Sequence, residues 1–217
     1  MIKRVVGLHF SPLGGTAKIT EQIVEEIAAA LNSNCVEPVR CECLDMLQFG
    51  TEAPKFDEET VAVVGMPTNV GKLPLPAIKM IRSLDGSGAM TVAMVTYGAR
   101  TYGNALYELY NKIEEQGFVV VGAAAFIARH KRKDNSLPRP DFQDLEAIKE
   151  FSKKTAGKLN RLSGSSVDGL RIKPAPLTLA GRMPVHRVSR ISPKAAAIAE
   201  LALERASFGR REPEWFL

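Results

Sequence analysis

Between an apolar run at residues 2–10 and the helical spacing of Ile19, Ile23, Ile27 and Leu31 lies the stretch SPLGGTAK. It offers the hydroxyls of Ser11 and Thr16, the paired glycines Gly14 and Gly15, a single cation at Lys18 and no carboxylate. A turn from a parallel strand into a helix aims backbone N–H groups and the positive end of the helix dipole outward, which suits an anion. The glycines let that backbone approach a phosphate, and the hydroxyls can donate to it. The closing Gly-Lys-Ser/Thr of a triphosphate-binding loop is missing, which disfavours a nucleoside triphosphate with magnesium. No G-x-G-x-x-G is present for a dinucleotide. A turn so poor in positive side chains fits a single phosphate monoester. A tight Gly-Gly turn that holds no ligand is the competing reading.

Two further polar stretches could meet this turn. PTNVGKLPLP (67–76) follows one apolar run, and TYGARTYGNA (96–105) follows the next, with Tyr97 and Tyr102 flanking Gly98 and Arg100. In a doubly wound sheet of order 2-1-3-4-5, the loops after strands 1, 3 and 4 converge at the switch point. A phosphate turn, a polar loop and an aromatic loop there describe a pocket for a phosphorylated planar heterocycle.

The elements that must hold these loops follow from hydrophobic periodicity. Strands are expected at 2–10, 36–43, 60–66, 90–97 and 118–124. Helices are expected at about 15–31, around Ile78–Leu84, through Leu106–Ile113 and from Leu145 to Leu162, with Asp141 or Asp144 placed to cap the last. Near-continuous apolar strands alternating with amphipathic helices imply a parallel sheet covered on both faces. The expected fold is therefore α/β: a three-layer α/β/α sandwich on a five-stranded parallel sheet, occupying residues 1–162. SGSSVDG then reads as a linker, and IKPAPLTLAGRMPV has too many prolines for a central strand. Ser192-Pro193 opens an alanine-rich helix over 194–206. Residues 163–217 thus form a C-terminal extension, too poor in apolar residues to fold alone.

Charge is divided between these parts. Residues 1–128 carry 10 Lys/Arg and 14 Asp/Glu, while 129–217 carry 19 and 10, a mildly acidic core with a basic extension. RHKRK (129–133) lacks the interleaved aromatics of a nucleic-acid site and reads as a solvated loop, or as a place for an acidic redox partner or a nicotinamide phosphate. No apolar run reaches the ~20 residues of a membrane span, and no secretory leader is read at the N-terminus. Cys35, Cys41 and Cys43, an odd number in one segment, point to reduced thiols in a cytoplasm. His9, His130 and His186 are scattered, without metal-ligand spacing. Trp215 and Phe216 read as groups docked on the core, or as a partner or homodimer contact.

Taken in order, FSPLGGTAK, GMPTNVGKLPLPA, TYGARTYGNALYEL, QGFVVVGAAAFIARH and PRPD resemble the flavodoxin-like FMN-binding domains, specifically those often joined to a ferredoxin module. The resemblance covers roughly residues 1–162 and implies non-covalent FMN and electron transfer, with a redox protein or a small molecule as donor or acceptor. By it, Ser11, Leu13, Gly14, Gly15, Thr16 and Ala17 surround the phosphate. Pro67, Thr68, Asn69, Val70 and Gly71 run along the isoalloxazine edge. Thr96, Tyr97, Gly98, Arg100, Tyr102 and Asn104 close the other side, with Tyr97 the nearer ring and Tyr102 a lid. Arg100 or Lys72 would ease reduction by favouring the anionic reduced flavin. The family's turn commonly carries threonine where Leu13 stands and often where Gly15 stands, so hydroxyl donors are fewer here. Its ferredoxin-linked members carry cysteine clusters near the C-terminus, and this chain has no cysteine after Cys43. Two functions follow: an FMN protein that transfers electrons, with reductase activity toward a quinone or other small acceptor, or a scaffold of this fold that has lost the cofactor.

Overall fold

The apolar runs are strands because both faces of the sheet are covered. Val5, Val6 and Leu8 of the first run and Val61, Ala62, Val63 and Val64 of the third are fully shielded from solvent. A computed structural model describes residues 1–33, 37–48, 53–98, 101–128, 139–164, 166–167, 170–171, 174–184 and 213–217. Strands β1 (Arg4–His9), β2 (Arg40–Asp45), β3 (Thr60–Pro67), β4 (Met90–Tyr97) and β5 (Val119–Ile127) alternate with helices α1 (Gly15–Asn32), α2 (Leu75–Ile81), α3 (Ala105–Glu114) and α4 (Phe142–Gly164). The five strands are parallel, as the periodicity predicts, and their order β2-β1-β3-β4-β5 is that of the expected doubly wound sheet. Helices α1 and α4 bury Ile19, Ile23, Ile27, Ile148 and Phe151 against one face. Helices α2 and α3 bury Ala77, Ile78, Leu106 and Leu109 against the other.

The order puts the polar loops on one edge. Connections on opposite sides of β1 diverge there, so the β1–α1 turn and the loops after β3 and β4 share the carboxyl end of the sheet.

Several boundaries depart from the sequence reading for local reasons. Strand β2 lies at Arg40–Asp45 rather than 36–43, because the Asn32 side-chain carbonyl accepts from Val39 N at 2.6 Å and pairing begins at Arg4 with Arg40. An edge strand with Arg40, Cys41 and Glu42 exposed gives a weak periodic signal. Helix α4 starts at Phe142, where the Asp141 carboxylate accepts from Asp144 N at 3.0 Å and the Asp144 carboxylate accepts from Asp141 N at 2.8 Å. This reciprocal cap uses both of the residues that the sequence offers as alternatives. Part of the expected linker is ordered: α4 runs through Gly164, and β6 (Ser166–Val167) pairs antiparallel with β7 (Leu170–Arg171).

The sheet also has a strand that the sequence reading does not contain. Strand β8 (Glu214–Phe216) adds antiparallel to β5, with Ala125 opposite Glu214 and Ala123 opposite Phe216. Trp215 and Phe216 pack on this chain's own core. The alanine-rich helix expected at 194–206 lies outside the described residues, as do Cys35, RHKRK, His130 and His186. Among the described residues no helix is long and apolar enough to cross a membrane.

Candidate functional site

The β1–α1 turn is a cradle of main-chain donors. Phe10 N donates to Gly65 O at 3.1 Å, extending the β1–β3 ladder by one residue, and Gly14 N then donates to Ser11 O at 3.1 Å to close the turn. Gly14 caps α1 in the left-handed region at φ 78, with no side-chain cap, and the first helical turn has no acidic residue. A helix leaves its first four N–H groups without intrahelical acceptors. Gly14 N bonds Ser11 O, and Ala17 N donates to Ser11 Oγ at 2.9 Å, leaving Gly15 N and Thr16 N for an outside acceptor. Because Ser11 Oγ accepts from Ala17, its own proton is available to the same acceptor. Leu13 is 65% exposed at the mouth of the turn.

The Thr16 hydroxyl, expected to donate to a phosphate, already has a partner within the protein. The residue is buried, and its Oγ1 lies 2.7 Å from Thr96 Oγ1 at the end of β4. One proton of the pair is spent on this bond and the other is free to donate. The contact ties the first turn to the third loop. A Cβ on Gly15 would meet Ala128 Cβ at an ordinary 3.4 Å, and Ala128 N donates to Tyr97 O at 2.9 Å.

The second loop leaves β3 at Pro67 and is held at once, because Thr68 N donates to Thr96 O at 2.8 Å. Asn69 and Lys72 exchange backbone hydrogen bonds of 2.8 and 3.1 Å, with Val70 at φ 51 and Gly71 at φ 71 between them. Two successive positive φ values make a mirror-image tight turn, which glycine and asparagine favour and valine strains. Val70 is 85% exposed at its tip. Gly71 O accepts from Asn104 N at 2.8 Å, and a Cβ on Gly103 would lie 2.7 Å from Gly71 Cα. The second and third loops are therefore backbone to backbone. Leu73 N donates to Glu108 Oε2 at 2.9 Å, and Glu108 is 1% exposed on α3. The sequence reading missed Glu108, although a carboxylate among Ala105, Leu106, Leu109 and Tyr110 on the apolar helix face was the available signal.

In the third loop, Tyr97 is 5% exposed and Tyr102 is half-buried, with ring centroids 5.7 Å apart. Rings in contact at that distance leave no room for a third ring between them. Tyr102 Oη donates to Glu214 Oε2 at 2.5 Å. Burial first, then that carboxylate, push the Tyr102 phenol well above the ordinary tyrosine range. Gly98 is exposed after β4, and Arg100 lies outside the described residues. The structure thus gathers Ser11, Gly14, Gly15, Thr16, Ala17, Thr68, Asn69, Gly71, Thr96, Tyr97, Tyr102 and Asn104 through direct contacts at the carboxyl edge. Two surface grooves run along α4 and the C-terminal residues.

No protein-family model and no curated protein matches the chain. Solved structures do. A flavodoxin from the domain Archaea superposes with a TM-score of 0.52 at 20% identity, over 72% of this chain and 99% of the other. A flavodiiron core from Synechocystis gives 0.51 at 19% identity, over 73% of this chain and 36% of the other. The rubredoxin oxygen:oxidoreductase of Desulfovibrio gigas gives 0.51 at 15%, over 73% and 36%. The chain has the flavodoxin fold. It spans about a third of the two larger proteins, and at these identities the likeness extends to the fold alone. Within the flavodoxin fold the edge that carries the three loops is the switch point of the sheet, so the chemistry must be argued from the residues there.

Proposed function

We propose that the chain binds FMN non-covalently at the carboxyl edge of its sheet and transfers electrons. The observation that carries this reading is the N-terminus of α1: Gly15 N, Thr16 N and the Ser11 hydroxyl are left for one small anion, behind a left-handed Gly14 with no acidic residue in the first turn. These donors fit a phosphate monoester, as a single oxyanion can accept from several N–H groups at a helix start. The resemblance of the three loops to the family and the shared fold support the same ligand. Ser11, Gly14, Gly15, Thr16 and Ala17 would hold the phosphate, and the 68–71 and 97–104 loops would border the ring. Bound FMN supplies one- and two-electron transfer; the protein supplies position, exclusion of water and charge near the ring. A redox protein or a small acceptor such as a quinone, in a cytoplasmic setting, completes this reading, with residues 1–162 as the flavin unit and 163–217 as its extension.

A cofactor-free scaffold is the second reading. It is favoured by Leu13 at the mouth of the turn and by the Thr16 hydroxyl already bonded to Thr96. Gly15→Asp separates the two. A carboxylate in the first turn of α1 stabilises the apoprotein by about 0.5–1 kcal/mol through the helix dipole, while it occupies the anion cradle. The FMN reading expects a higher urea midpoint together with loss of FMN uptake in a fluorescence-quenching titration. A folded G15D protein that binds FMN as the parent does would overturn the phosphate assignment, and a parent that binds none would leave the scaffold.

A further inference from the structure

The described parts of the C-terminal extension meet the candidate site twice, each time on the third loop. Residues 174–184 pass along α3, where Leu177 and Leu179 pack on the core. Gly181 lies so close to α3 that a Cβ would stand 2.6 Å from Tyr107 Cβ. Arg182 N then donates to Asn104 Oδ1 at 3.2 Å. The chain returns as β8, and Glu214 accepts the Tyr102 hydroxyl across 112 residues of sequence. The strand itself is held independently of that bond. It pairs with β5, the Trp215 ring lies tilted with its centroid 6.3 Å from that of Phe151, and the Lys154 ammonium sits 5.8 Å over the indole.

Tyr102 needs such an anchor. The backbone after it is fixed where Gly103 lies against Gly71, so what remains to be set is the ring itself. Tyr97 meets its ring at a tilt. A charge-assisted hydrogen bond to a carboxylate fixes the ring's far end and leaves the ring electron-rich. The raised phenol ionisation keeps the proton on Tyr102, so the bond persists through neutral and mildly alkaline pH.

We propose that the C-terminal extension is a structural part of the flavin site, with Glu214 as the positioning residue that sets the Tyr102 ring and Arg182 N as a second hold on the same loop at Asn104. The proposal rests on the FMN reading above. It has an electrostatic consequence as well as a geometric one. The Glu214 carboxylate places a negative charge at the aromatic wall, which opposes the build-up of negative charge on a reduced flavin and lowers its potential.

The test uses the full chain reconstituted with FMN, and the variants Glu214→Gln, Glu214→Ala, Tyr102→Phe and the Tyr102→Phe/Glu214→Ala double. Trp215, the only tryptophan of the chain, reports by its emission wavelength whether β8 stays docked. Glu214→Ala and Tyr102→Phe should each weaken FMN several-fold, and the double should be no worse than either single, as partners in one contact behave. Glu214→Gln keeps an acceptor for the tyrosine, so it should restore affinity yet leave the midpoint potential above that of the parent. A merely structural role for β8 would move affinity without this split. Additive losses, or a docked Glu214→Ala protein with parental affinity and potential, overturn the proposal while FMN binding by the parent stands. A parent that takes up no FMN overturns both together.

Discussion

Val70 is the residue whose conformation is most at odds with its type. A β-branched side chain at φ 51, 85% exposed, contributes no packing that repays the left-handed backbone. With Gly71 next to it, asparagine at 70 would complete the residue pair that such turns favour. Val70→Asn should raise the stability of the apoprotein by about 1 kcal/mol in urea unfolding; an unchanged or lower midpoint would mean that the turn is not strained. Tyr97 and Tyr102 pose the other question at this scale. Tyr102 lies over the buried Tyr97, so a ligand at this edge meets Tyr102 first. Tyr102→Ala should therefore weaken FMN more than Tyr97→Phe, which keeps the inner ring in place. The reverse order in flavin titrations would restore Tyr97 as the nearer contact, as the sequence alone suggests.

At the scale of elements, the site depends on two loops joined through glycine. Gly103 at φ 55 lies against Gly71, and a Cβ would come within 2.7 Å of Gly71 Cα and O. Backbone atoms cannot move aside as a flexible side chain can. Gly103→Ala should cost roughly 2 kcal/mol or more, the sum of a left-handed backbone and a clash, and should weaken FMN beyond what stability explains, because the loops separate. Parental stability in denaturant would show that the loops are not in contact. The elements themselves were legible wherever apolar periodicity was strong: β4 at Met90–Tyr97 and the order of the five parallel strands agree with the reading. Edge strand β2 shifted because its exposed residues carry little pattern. The first turn was legible because Gly-Gly and hydroxyls between a strand and a helix have few other uses. The Thr16–Thr96, Gly71–Gly103 and Tyr102–Glu214 contacts were not. They join residues 32 to 112 positions apart, and nothing local in the chain encodes such pairs.

At the scale of the molecule, the cysteines set a limit on redox chemistry. A ferredoxin-type iron–sulfur cluster needs four thiolates. This sequence holds three cysteines in all, none after Cys43. Two of them, Cys41 and Cys43, stand two residues apart on edge strand β2, at the opposite end of the sheet order from β5 and β8. Burial pushes the Cys43 thiol up to about 12, with nearby Glu21, Cys41 and Glu25 adding to it, so that sulfur is held as a protonated thiol. On the FMN reading, electrons would then reach and leave the flavin without a cluster held by four cysteines of this sequence. Anaerobically purified protein should contain neither iron nor acid-labile sulfide, while its absorption shows flavin bands alone once FMN is supplied. Stoichiometric iron and sulfide would require thiolates from a second chain or ligands other than cysteine, and the path of electrons would then run through that assembly rather than through this chain alone.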